Sequence, residues 1–208
     1  MGVLVCCLGT LTGQYLPLGA LIPSLAYLGL VVWLLSMPSL STNKPQRQRV
    51  FAGAAFAQGL ALAPLAALAG HLNASLFPMA LVATTLVFGC FSLSAAVAKR
   101  RSYLFLAGVL SSALSALFWW RLGMAVFARR SAFAFEAELL VGLAVFVGYV
   151  LVDTQVIIER ASAGDLDEVK HAVQLFGDFV SILVRVVILL MQREERARRE
   201  RRQRRRDE

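Results

Sequence analysis

The chain predicts an all-α membrane protein, a seven-helix transmembrane bundle with the C-terminal helix central. Three observations carry that expectation. Hydrophobic residues make up 58% of the 208 and the mean hydropathy is +0.68, more apolar surface than a soluble domain of this size can hide from water. Runs of about 20 apolar residues, the length that crosses a bilayer, recur with only short polar breaks between them. The last of these runs carries polar residues along one face, and polar side chains in hydrocarbon must find protein or water, so that helix belongs inside the others. Nothing between the runs is long enough to fold separately, so residues 1–192 form one bundle and residues 193–208 a basic tail.

Helices are predicted over 3–16, 18–37, 50–70, 78–98, 102–127, 135–157 and 171–192. The first, in MGVLVCCLGTL, is short for a span and starts at the initiator Met, so residues belonging before it are expected to be missing and the helix truncated. It has no basic n-region and does not read as a cleavable signal. Gly2 invites lipidation, but Cys6 stands where a myristoylation motif wants Ser or Thr. Turn chemistry separates the later helices: Pro17, then SMPSLSTNKPQ, then Asn73 through Pro78, and Ala163-Gly164-Asp165. Gly53 with Ala57, Gly108 with Ser112 and Ala144 with Gly148 are small pairs at helix-packing spacing. Cys6, Cys7 and Cys90 fall in apolar segments without a CxxC and read as small buried hydrophobes. The sequon Asn73-Ala74-Ser75 hugs the membrane and is expected to go unused.

Lys44, Arg47 and Arg49 precede helix 3 and Lys99, Arg100 and Arg101 precede helix 5, which places these loops and the 6/7 loop in the cytoplasm. A fully spanning helix 7 would then send the arginine-rich tail to the other side, where Arg129 and Arg130 also fall. Either the tail is an exception, or helix 7 dips in and returns, or the helix count is off by one. The net charge of +8 divides evenly: residues 193–208 hold nine arginines against five acids, and the rest of the chain supplies the other four charges. A surplus confined to loops and tail suits anionic lipid or an acidic partner, not a nucleic-acid groove.

The chemistry concentrates in the last two helices. His171, Gln174, Asp178, Ser181 and Arg185 step by three, four, three and four residues and so share one face of helix 7. On helix 6, Glu138, Gly142, Tyr149 and Asp153 share a face that should look toward it. Asp153 lies about 7 Å and Asp178 about 10 Å from the loop between them, so antiparallel neighbours would bring the two carboxyls together. Adjacent carboxylates cannot both ionise cheaply; the pair would share a proton at low pH and offer two anionic oxygens once it is lost, titrating as a unit. The functional reading is a cation or proton path with Asp153 and Asp178 as ion site and pH gate. Calcium fits such hard oxygens as a weakly held, transported ion, with no resident cofactor. The structural reading has Arg185 neutralising Asp178 and Asp153 capping or snorkelling. An enzyme is not expected: there is no HExxH or GxSxG, and His71 and His171 lack nucleophilic partners.

The segment VDTQVIIERASAGDLDEVKHAVQLFGDFVSILVRVVILL, with Asp153-Thr154-Gln155 and Leu175-Phe176-Gly177-Asp178-Phe179, closely resembles the end of the Bax inhibitor-1 family of endoplasmic-reticulum membrane proteins. The block NASLFPMALVATTLVFGCFSLSAAVAKRRSYLFLAGVLSSALS, with its Lys99-Arg100-Arg101-Ser102-Tyr103-Leu104 turn, is similar as well, and helices 1 to 3 match more weakly. The resemblance implies a seven-helix fold with helix 7 enclosed, a paired-aspartate site at Asp153 and Asp178 linked to pH-sensitive calcium leak, and restraint of programmed cell death in the endoplasmic reticulum. Some bacterial relatives latch the acids with an Arg at the end of helix 2; this chain has Leu35-Ser36-Met37-Pro38 there, so the latch does not carry over.

The tail resembles a family end associated with calmodulin and with partner or lipid contacts. Residues 193–208 lack large apolar anchors for a calmodulin groove, and anionic lipid is the better match. Pairs at i, i+4, Glu194 with Arg198, Glu195 with Arg199 and Glu200 with Arg204, make a solvated helical extension the plain alternative. The competing function is a non-conducting scaffold that binds anti-apoptotic or other membrane proteins, in which the aspartates only hold the fold.

Overall fold

The computed structural model describes residues 1–208 except 16–18, 39–42, 100–102, 104, 127–131, 166 and 208. Pro17, Arg100, Arg101, Ser102, Leu104, Arg129 and Arg130, on which parts of the sequence reading rest, lie outside the described residues. Among those described there are seven helices and no strand: α1 (Gly2–Gly13), α2 (Leu21–Ser36), α3 (Lys44–Leu72), α4 (Leu76–Val97), α5 (Leu106–Val126), α6 (Ala132–Ser162) and α7 (Glu168–Asp207). The helices α3 to α7 are each long and apolar enough to cross a membrane, whereas α1 and α2 have 12 and 16 residues. Large apolar side chains such as Leu25, Trp33, Leu86, Val109 and Trp119 are exposed, an inversion that suits a lipid solvent.

Three of the boundaries that differ from the sequence reading have a clear local reason. Helix α3 begins at Lys44, not at 50, because Pro45 in its first turn has a preset φ and no N–H to leave orphaned. Arg47, expected in a loop, therefore stands on a helix. Helix α6 ends at Ser162 in a Schellman motif: Gly164 takes φ +93°, its N–H reaches the Ala161 carbonyl, and the Asp165 N–H reaches the Arg160 carbonyl. Helix α7 does not stop near 192 but runs 40 residues to Asp207, because its Glu- and Arg-rich end is made of good helix formers. Glu194 and Arg198 pair there at 3.1 Å. A last helix that dips in and returns does not form, because α7 is continuous from Glu168 to Asp207. With basic residues at both ends, charge alone assigns the chain no orientation.

The chain divides into two compact units, Met1–Phe77 with Asp167–Phe176, and Pro78–Leu166 with Gly177–Glu208. In the first, α1 packs on α3 at backbone distance. A Cβ on Gly59 would sit 2.1 Å from the Cys6 carbonyl oxygen, and one on Gly9 would sit 2.4 Å from that of Phe56. Leu34, Val50, Val169 and Val173 form a buried cluster, and Phe51 meets Phe176 edge to face with centroids 5.7 Å apart.

In the second unit α5 packs on α6, where a Cβ on Gly148 would meet Leu110 at 2.8 Å. Phe88 of α4 meets Phe179 of α7 at 5.6 Å. Of the small pairs expected to pack, Gly148 does; Gly108 has nothing within 4 Å of its Cβ position. Cys6 is buried as expected, whereas Cys90 is exposed, consistent with a lipid-facing position on an apolar helix.

Candidate functional site

Asp153 of α6 and Asp178 of α7 belong to the same unit. They are 9% and 7% exposed, their side chains lie within hydrogen-bonding reach of each other, and Oδ2 of Asp178 is enclosed with no hydrogen-bond partner. Two carboxyls this close cannot both ionise cheaply. Among the described residues no group of three or more His, Cys, Asp or Glu side chains gathers.

The register of α6 on α7 extends from this pair. Seven residues along α6 from Asp153, Phe146 holds the Arg185 guanidinium carbon 4.2 Å from its ring centroid, and Arg185 is seven residues along α7 from Asp178. Farther on, Glu136 of α6 pairs with Arg196 of α7. Equal steps in opposite directions define antiparallel neighbours, as the polar faces predict.

The predicted stripe is only partly brought together. Arg185 does not neutralise Asp178: its Nη1 donates to the Ser181 carbonyl at 3.0 Å, and its head turns to Phe146 and to Gly142, whose Cβ position is 2.6 Å from Nε. Glu138 turns instead to α5, accepting from Arg121 Nε at 2.5 Å. Tyr149 and Ser181 are half-buried between the acidic pair and Arg185. His171 and Gln174 belong with the other unit. There His171 is 8% exposed and its backbone N–H bonds the Asp167 carbonyl, so it starts the helix in a buried setting. Five polar residues share a face of α7, but its first turns belong to one unit and the rest to the other.

Comparison with known proteins shows the family. Residues 1–195 match the family described as inhibitor of apoptosis-promoting Bax1. The chain belongs to the Bax inhibitor-1 family. It is 41% identical over 177 residues to the protein named Bax inhibitor 1 of Oryza sativa subsp. japonica, covering 85% of this chain and 70% of that one. To those of Sus scrofa and Homo sapiens it is 43% and 42% identical over 170 residues, covering 82% of this chain and 71% of each. With its long apolar helices, this family member is a multi-pass membrane protein.

Two structural devices of this Bax inhibitor-1 family member were not visible as such in its sequence. The first is a buried clamp. Arg47 Nη1 and Nη2 donate to the Asp167 carboxylate oxygens at 2.8 Å each, with side chains 5% and 8% exposed. Asp167 also caps α7, its Oδ1 accepting from the Lys170 N–H at 3.2 Å. Burial opposes ionisation of Asp167, but the Arg47 bonds and the Lys170 N–H outweigh it and hold its carboxyl below the usual carboxylate range. Lys44 and Glu168 pair beside the clamp at 2.9 Å in an exposed setting. The only advance signal was an acid immediately before an apolar run.

The second device is Gln155, 4% exposed. Its Oε1 accepts from the Tyr103 N–H at 2.9 Å, and its Nε2 donates to the carbonyls of Lys99 at 3.0 Å and Ala95 at 3.4 Å. It satisfies the end of α4 and the chain entering α5. In the Asp153-Thr154-Gln155 run the acid draws attention, yet the amide does the bracing.

Proposed function

We propose that the protein is a suppressor of programmed cell death in the endoplasmic-reticulum membrane, acting as a pH-sensitive calcium leak gated by Asp153 and Asp178. Its relatives carry the name Bax inhibitor 1, which supports the cell-death role. The observation that carries the gate is the contact between two buried acids from successive, antiparallel helices. With a proton between them the carboxyls hold α6 and α7 together; without it, two like charges in a poorly solvated place repel and attract a cation. Two carboxylates bind calcium weakly, which suits an ion that must leave as well as enter. No enzymatic step is part of this reading.

The test is calcium flux through the purified protein in liposomes across about pH 6 to 8, bracketing physiological values. Wild type should pass calcium in a proton-dependent way, and Asp178→Asn or Asp153→Asn, which removes one ionisable partner, should flatten that dependence to within about twofold. Equal, pH-independent flux in all three proteins would end the gating claim.

A second reading, a non-conducting scaffold, is favoured by one observation: α7 continues as an arginine-rich helix to Asp207, largely exposed over 193–205. Scaffold action should vanish when that extension is removed, while liposome flux should survive.

A further inference from the structure

The α6/α7 line holds a second charged station that the acidic pair does not use. Arg185 lies seven residues beyond Asp178 on α7, about 10 Å along the helix. Its guanidinium fits a slot that only glycine provides: a Cβ on Gly142 would stand 2.6 Å from Nε and 3.2 Å from Nη2. The Phe146 ring stacks over the head at 4.2 Å, and the Ser181 carbonyl takes Nη1 at 3.0 Å. Among the described residues Arg185 makes no direct ion pair. Glu138, one turn from Gly142, acts on Arg185 through its field but is itself engaged at 2.5 Å by Arg121. Two guanidiniums therefore stand against one carboxylate that only Arg121 binds, and the cluster keeps a net positive charge.

Between this station and the acidic pair the polar side chains on the two facing stripes are Tyr149 and Ser181, while Val145, Val150, Ile182 and Leu183 of the same stretches are buried. A cation released from Asp153 and Asp178 toward the far end of α7 meets Arg185 before it meets another carboxylate.

We infer that Arg185, seated on Gly142 beneath Phe146, is a fixed positive plug that throttles the leak and sets its discrimination among cations. The inference rests on the leak reading above and adds to it a rate- and selectivity-determining residue outside the paired acids. A fixed charge acts in proportion to the charge of the passing ion. Its removal must therefore favour calcium over potassium, with the calcium fold-change close to the square of the potassium one. Loosened packing would raise both alike.

The experiment compares calcium and potassium flux in liposomes containing wild type, Arg185→Gln, Arg185→Lys, Gly142→Ala and Asp178→Asn, each checked for helix content and monodisperse elution. Arg185→Gln should raise calcium flux about tenfold and potassium about threefold. Arg185→Lys keeps the charge and should stay within about threefold of wild type for calcium. Gly142→Ala keeps every charge but evicts the head from its seat, and should raise calcium more than potassium; it carries the test if Arg185→Gln does not fold. Equal rises for the two ions overturn the plug. So does unchanged flux in Arg185→Gln and Gly142→Ala beside a conducting wild type that Asp178→Asn alters, a result that leaves the paired-acid gate standing. Absence of flux in wild type and every variant overturns both.

Discussion

At the scale of single residues, Asp167 shows how much one side chain can carry. It caps α7 through the Lys170 N–H and receives both terminal nitrogens of a buried Arg47, whose Nε has no hydrogen-bond partner. Asp167→Asn keeps a competent cap but breaks the charged fork, leaving a buried guanidinium uncompensated. It should cost about 3–5 kcal/mol, read as a fall in thermal unfolding temperature in detergent. Asp167→Ala should lose about 1 kcal/mol more, the usual worth of a cap. The pH dependence has a definite sign. Because the folded carboxyl is held below its ordinary range, the clamp's stability is fully present above the unfolded value near 4 and is lost only as pH falls through the lower folded value. A pH response of calcium flux near neutrality should therefore persist in Asp167→Asn; its disappearance there would move the sensor from the paired acids to the clamp.

At the scale of elements, small residues decide where helices touch. Gly59 and Gly9 allow α1 and α3 to meet backbone to backbone, an approach that no side chain permits and that membrane helices use in place of a hydrophobic driving force. Gly59→Ala places a methyl 2.1 Å from the Cys6 carbonyl oxygen, where backbone and not a flexible side chain must move. It should destabilise by about 1–3 kcal/mol. Gly70→Ala, on the same helix but with nothing within 4 Å, should instead be neutral or stabilise by up to about 1 kcal/mol through helix propensity. Thermal unfolding of the two variants side by side checks the pair. Gly9 and Gly59 stand on different helices, so the contact between them is not a spacing that either segment displays.

At the scale of the whole chain, the arginine-rich end is part of α7, held at its start by Arg196 with Glu136. Removing residues 198–208 leaves that pair in place. The truncated protein should keep its calcium flux while its binding to anionic vesicles falls and loses salt dependence; loss of flux would mean that the extension supports the path itself. The all-α class, the apolar spans, the Gly164 turn and the shared faces of Asp153 and Asp178 were legible in the residues, because hydrophobic periodicity and turn chemistry act over a few positions. What folding alone decided is which charge answers which. Arg185 is one heptad from Asp178 yet lies over Gly142, Glu138 shares a face with Asp153 yet binds Arg121, and Arg47 finds Asp167 120 positions away. A sequence specifies the chemistry of a helix face locally, whereas the partner of a buried charge is chosen by which other helix stands within about 4 Å, the range over which a desolvated ion is compensated.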